Sequence, residues 1–199
     1  MSREVPHTRS RILKASLDLL EASQGKGVRM TDIAKHAGIT RQALYLHFST
    51  RAELLIATTH YLDELKDSDA RLVASRTAQT GIERLDAFIE AWGSYIPEVY
   101  GIAKALLAMR DTDEAAAQAW DQRMQDMREG CAAAILALKR DKMLSPAYSQ
   151  KQATDILWTL LSVRNWEQFT IDCGWSRKKY VATLKSLARR IFVVESRND

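Results

Sequence analysis

Five side chains between positions 41 and 47, namely Arg41, Gln42, Ala43, Tyr45 and His47, carry chemistry suited to a base-paired polyanion. They lie in the stretch MTDIAKHAGITRQALYLHFSTR, residues 30–51. A guanidinium can grip guanine O6 and N7, a carboxamide can pair with adenine, and a small apolar group can touch a thymine methyl. Tyr, His and Thr more often hydrogen-bond phosphates, which orients a protein without reading sequence. Each residue also has a plainer account. Tyr45 could pack beside the first helix, His47, Arg41 and Gln42 could be ordinary surface, and Ala43 could be small only to avoid a clash.

Such residues are useful only if something holds them out rigidly. Within 30–51 the spacing predicts two short helices, one capped by Thr31 and ending near His36, the other capped by Thr40 and ending near His47. Gly38 supplies the backbone freedom for the bend between them. Isolated helices this short are marginal in water. Their support must come from packing, and Ile33, Ala34, Ala37, Ile39, Leu44 and Phe48 are placed to supply it against one another and against a first helix over 8–23. A bent pair braced by a preceding helix is the pattern of a helix-turn-helix. Arg41, Gln42, Ala43, Tyr45 and His47 remain on the face away from the apolar set. The N-termini of both short helices also offer backbone N–H groups to phosphates.

Charge points to the same kind of partner. Residues 1–51 hold nine Lys and Arg against four Asp and Glu, whereas the other 148 residues hold 20 against 21. The chain's formal charge of +4 therefore arises in its first quarter. Such asymmetry is the footprint of a polyanion-binding segment or of a solvated lysine-rich face. The apolar share of 46% and charged share of 27% are those of a soluble globular protein. The longest apolar run, CAAAILAL at 131–138, is far short of the ~20 residues a membrane span needs. The first residues, MSREVPHTRSR, have no apolar segment of signal-peptide type. We expect a cytoplasmic protein without membrane association. Cys131 and Cys173 are too few and too far apart for a disulfide framework or a zinc site, and are expected as small apolar side chains.

The remaining chain predicts helices over 50–74, 82–95, 97–109, 113–139, 150–172 and 177–194, with no convincing strand. Pro97 is read as a stop, Asp113 and Glu114 as acids at a positive helix end, and Gly174 and Ser176 as caps around a turn. The expected fold class is all-α: a three-helix DNA-binding domain at 1–51, then a helical domain at 52–199. Three cations at 177–179 open the last helix against its dipole, and the sequence alone gives no account of them.

TDIAKHAGITRQALYLHFSTRAELL, residues 31–55, resembles the signature of the tetracycline-repressor (TetR) family of bacterial transcription regulators. The matching features are I-A-x-x-A-G-I-T, then L-Y-x-H-F, then a basic residue followed by L-L. The family usually has Lys where this chain has Arg51, and Arg there is still expected to reach a phosphate. The resemblance implies operator contacts from Thr31, Thr40, Arg41, Gln42, Tyr45, His47 and Arg51. It also implies a ligand-responsive repressor, a homodimer on a palindromic operator in double-stranded DNA, with residues 52–199 as the effector-binding and dimerisation domain.

DILWTLLSVRNWEQFTIDCGWSRKKY, residues 155–180, looks like the family's last two helices, which form a four-helix bundle with a second copy. Its apolar character agrees: the helix is greasy nearly all round from Ile156 to Val163 and so must be covered on more than one side. Leu157, Leu160 and Leu161 with Tyr180, Leu184, Leu187 and Ile191 are the expected dimer contacts, although core packing alone could explain each stripe. For a small apolar or aromatic effector, the expected lining is Trp92, Tyr95, Met109, Met124, Met127, Trp158 and Trp166, with Asn165 as a polar anchor. The same residues could simply be core. A constitutive DNA-binding protein with a solid C-terminal core is the alternative. No P-loop, HExxH, nucleophile elbow or Cys/His pairing suggests an enzyme, and no cofactor or metal is expected.

Overall fold

The computed structural model describes residues 4–23 and 26–194. Arg3, counted in the charge balance, lies outside them. The described residues form α1 (Glu4–Ser23), α2 (Met30–His36), α3 (Arg41–His47), α4 (Arg51–Leu65), α5 (Ser68–Arg76), α6 (Gly81–Met109) and α7 (Glu114–Arg140). They continue as α8 (Gln150–Leu160), α9 (Val163–Glu167), a π-helical turn (Gln168–Asp172) and α10 (Arg177–Phe192). The only pairing of strand type among them is an isolated antiparallel bridge between Leu144 and Val193. The all-α expectation holds.

The chain forms two compact units rather than dividing at residue 51. The first runs to Lys66 and adds Val99–Met124; the second is Asp67–Glu98 with the chain from Gln125 onward. The boundary shifts because α4 packs on α1 and so belongs to the first unit. Ile12, Leu13, Leu17 and Leu20 of α1 meet Leu54, Leu55 and Leu62 of α4 in a buried core. A buried hydroxyl pair, Ser16 and Thr58, 2.9 Å apart, lies within it.

Three predicted helices are differently divided. The helix expected over 50–74 breaks after Leu65, where Asp67 adopts the left-handed conformation (φ +50°) that Asp tolerates better than most residues. The stop expected at Pro97 is absent, and α6 runs through it. Ile89, Ile96, Val99 and Ile102 are buried along that helix while Pro97 is exposed. Burial on that face offsets the lost backbone bond, a defect that costs about 3 kcal/mol. The helix expected over 150–172 is three pieces. Ser162 ends the run by capping α9, its Oγ accepting from Asn165 N at 3.2 Å.

In the second unit α10 packs against α8 and the π-helical turn. Gly93 of α6 sits against Val181 of α10, where any added Cβ would collide with the valine methyl. The other helical ends follow their caps. Ser149 and Gln152 form a capping box on α8, and Ser176 Oγ accepts from Lys179 N at 3.2 Å on α10. Lys179 then lies 4.3 Å from the Trp175 ring centroid, which accounts for one of the three cations at 177–179. Cys131 is buried, as a small apolar residue should be, and burial pushes its thiol pKa up; Cys173 is exposed instead.

Candidate nucleic-acid interface

α3 is held from beneath and from both ends. Leu44 and Phe48 are fully buried, and Ile33 and Ala34 of α2 join them. Thr40 caps it as expected, its Oγ1 accepting from Ala43 N at 3.1 Å. Gly38 has φ +66°, the left-handed value the bend requires. Arg11 of α1 closes the bend by donating to Ala37 O and Gly38 O. Arg9, also of α1, lies 4.7 Å from the Phe48 ring centroid.

The outward face differs in detail from the expected one. Arg41, Gln42 and Tyr45 are exposed, with the Arg41 guanidinium 5.5 Å from the Tyr45 ring centroid. Ala43 and His47 are only half-buried flank residues. The most exposed large apolar side chain is Leu46, at 84%, which the sequence reasoning passed over. At 100° per residue it lies almost opposite the buried Leu44–Phe48 side. Its exposure could have been read from that spacing.

Two other expectations need correction. Thr31 does not cap α2; Arg29 occupies the cap position, with no side-chain cap bond, and Thr31 lies exposed in the first turn. Arg51 was expected to hold a phosphate. Its Nε donates to Val28 O at 2.7 Å, and its Nη1 lies 2.5 and 2.7 Å from the two Asp113 carboxylate oxygens. Asp113 also accepts from Ala116 N at 3.1 Å, so one carboxylate both caps α7 and ties down the start of α4. Burial alone would raise this acid, but the Arg51 hydrogen bond, the Ala116 N–H and the guanidinium charge outweigh it and hold its pKa below the ordinary value.

The positive excess is therefore partly engaged by the chain's own groups, through Arg11, Arg51 and the exposed Lys14–Asp18 pair. Lys26, Arg29, Lys35 and Arg41 form no salt bridge among the described residues. Lys26, Arg29, Thr31, Arg41 and Tyr45 line one open cleft of about 510 Å³ beside α3. Lys26 and Arg29 entered the sequence reading only as charge; their placement at this cleft depends on the α2 turn and has no local signature.

The expected effector lining is shared between the two units. Met109 and Met124 belong to the first unit, where Met109 is buried and its Sδ would lie 3.9 Å from a Cβ at Gly27. Trp92, Tyr95, Met127, Trp158, Asn165 and Trp166 are in the second unit. Asn165 is employed structurally, donating from Nδ2 to Thr159 O at 2.6 Å to close the end of α8. Burial pushes the Tyr180 hydroxyl up to about 12; the Trp92 indole N–H pulls it the other way, though the pair falls short of a regular hydrogen bond.

The expected dimer contacts also divide. Leu157, Leu161, Tyr180 and Leu184 are at most 1% exposed and are used up by the chain's own core. Leu160, Leu187 and Ile191 stay half-buried. A wide apolar stripe shows that a helix is covered, without saying by which chain.

A short helix braced by two others, with an outward face of Arg, Gln and Tyr, defines a helix-turn-helix DNA-binding protein. Residues 12–58 match the family described as "Bacterial regulatory proteins, tetR family". The chain is 26% identical over 175 residues to the HTH-type transcriptional regulator CymR of Pseudomonas putida, spanning 86% of this chain and 82% of that one. A Rhodococcus sp. structure described as a TetR-family transcriptional regulator superposes with a TM-score of 0.73 at 21% identity, over 94% of this chain and 99% of that one. A Saccharomonospora viridis structure, described as a transcriptional regulator in complex with choline, gives 0.72 at 16% identity over 96% and 100%. These two likenesses carry the fold alone. The tetR-family match thus falls on the helix-turn-helix segment, and the curated relative that spans most of the chain is a transcriptional regulator. Among the described residues no helix is long and apolar enough to cross a membrane.

Proposed function

We propose that the chain is a homodimeric, ligand-responsive repressor that binds a palindromic operator in the cytoplasm. The observation that carries this reading is the outward face of α3, where Arg41, Gln42 and Tyr45 are exposed while Leu44 beneath them is fully buried. Two copies of α3 enter successive major grooves about 34–36 Å apart, or a multiple of that spacing. Lys26, Arg29 and Thr31 take the adjoining phosphates, and Thr40, Ala43 and His47 lie along the flank of the same contact. Arg51 acts one step back, by fixing the start of α4 against Val28 and Asp113.

The half-buried Leu160, Leu187 and Ile191 supply the two-fold contact between copies. Effector binding is supported by the choline complex of the Saccharomonospora viridis protein, a chain of the same fold. The ligand must prefer the non-binding arrangement by about 1–3 kcal/mol, a typical coupling energy. Gel-shift titration of the full-length protein should show tighter binding to palindromic DNA from its own gene neighbourhood than to random duplex. Equal affinity for both would overturn the reading.

One observation favours a second reading, a constitutive DNA-binding protein. Asn165, the expected polar anchor, is already engaged with Thr159 O, which leaves the expected lining without its anchor. A broad panel of small apolar and cationic compounds, choline included, separates the two. Release of DNA by any member supports the ligand-responsive reading, and no shift in melting temperature or DNA affinity supports the other.

A further inference from the structure

Leu46 is the most outward residue of α3 and also its most exposed, at 84%. Single apolar residues at a surface are ordinary. Leu46 is distinguished by its place. It sits one turn beyond Gln42 on the same ridge, so both project from the side opposite the buried Leu44 and Phe48. Four residues of helix span about 6 Å, close to two base-pair steps of 3.4 Å. A helix that brings Gln42 to the edge of a base therefore brings Leu46 to the groove floor one or two pairs away.

Leucine has no donor or acceptor, so it gains nothing from phosphates or from the amino and carbonyl groups of bases. The apolar feature on the major-groove floor of unmodified DNA is the thymine 5-methyl group. The cations nearest α3, Arg41 and the cleft residues Lys26 and Arg29, exclude an apolar protein partner less well than they attract a polyanion. We propose that Leu46 selects a pyrimidine 5-methyl, that of thymine, in each operator half-site, one or two base pairs from the base held by Gln42. This inference rests on the proposed operator-binding function and adds a specificity-determining residue to it.

The test uses the full-length protein and the duplex it enriches most from a random pool. Each thymine of the half-site is replaced in turn by deoxyuridine, which removes only the methyl. Wild type should lose roughly three- to fivefold in affinity at one position, the worth of one buried methyl. Leu46→Ala should bind the thymine duplex more weakly and be indifferent to uracil at that same position. Replacing the thymine by 5-methylcytosine, paired with guanine, tests whether the methyl suffices or the thymine pair is needed. Retained Leu46-dependence there assigns the methyl alone, and its loss assigns thymine. The two proteins should melt at the same temperature, because an exposed leucine contributes little to stability.

No uracil-sensitive position, or equal sensitivity in both proteins, overturns the inference while leaving operator binding intact. A Leu46→Ala change in oligomeric state without any uracil effect overturns it in favour of a protein contact. Failure to enrich any duplex removes the operator-binding reading and this inference with it.

Discussion

Two corners bend the chain within a few residues, α2 into α3 in the first unit and α8 into α9 in the second. Both are capped by a hydroxyl: Thr40 Oγ1 receives Ala43 N, and Ser162 Oγ receives Asn165 N. They differ in what they do with the helix that follows. Beyond the first corner, Gln42 and Leu46 face solvent and the brace comes from a separate helix, through Arg11. Beyond the second, Val163 and Trp166 turn inward and the brace is local, the Asn165 amide reaching back to Thr159 O. A corner that presents a face outward cannot draw stability from that face, so it depends on distant groups. A corner that serves the core is stabilised by the residues it buries.

That contrast ranks the consequences of mutation. The largest loss of stability should follow Asp113→Asn or Arg51→Ala, because each removes one member of an ion pair only 20–22% exposed and leaves the other short of a partner. We expect about 2 kcal/mol, below the range for fully buried pairs because some solvent reaches both groups. Chemical denaturation measures it. The pH dependence has a definite sign. The folded pKa of Asp113 lies below its unfolded value, so the stabilisation is complete above the unfolded value and is lost as pH falls through the folded one. The deficit of Asp113→Asn against wild type should therefore shrink in acid. A deficit that grows there would mean the carboxylate is not the stabilising partner.

Next is Gly38→Ala. Its φ of +66° makes any L side chain strained, and a Cβ would lie 3.1 Å from Arg11 Nη2. About 1–2 kcal/mol should be lost, with weaker operator binding because the guanidinium brace moves. Ser162→Ala at the other corner should cost about 1 kcal/mol, the usual worth of an N-cap. It should leave DNA affinity at saturating protein unchanged. If Ser162→Ala harms DNA binding more than Gly38→Ala does, the division between an outward-presenting corner and a core-serving one fails.

The two corners were not equally legible. Gly38, Thr40 and the apolar spacing from Ile33 to Phe48 announce the first, because a left-handed turn and an N-cap demand particular residue types. The second has no such punctuation. Leu161 and Ser162 look like mid-helix residues, and Ser162 becomes a cap only because the chain turns there to bury Val163 and Trp166. Arg51 shows the other limit. Its partner Asp113 lies 62 residues away, so a local motif could identify the cation but not its occupation by the fold. Tyr180 and Leu184 were rightly seen as covered, but an amphipathic stripe looks the same whether its own chain or a second copy covers it. Pro97 failed as a stop because the penalty is local while the buried face of α6 extends on both sides of it.

The smallest effect on folding should come from Gln42→Ala, and it bears most directly on what the first corner is for. Gln42 is exposed, so its truncation should change stability by no more than about 0.5 kcal/mol. Its function should suffer in one place only. A carboxamide that reads an adenine discriminates against the wrong base by about 1–3 kcal/mol. The variant should therefore bind the operator more weakly, bind random duplex as well as wild type does, and accept other bases at one pair of each half-site. The slope of affinity against salt should stay the same, since no phosphate contact is removed. Arg29→Ala supplies the contrast, weakening binding to every sequence and flattening that slope. If the two variants exchange these signatures, the ridge of α3 holds the backbone, and the cleft beside it does the reading.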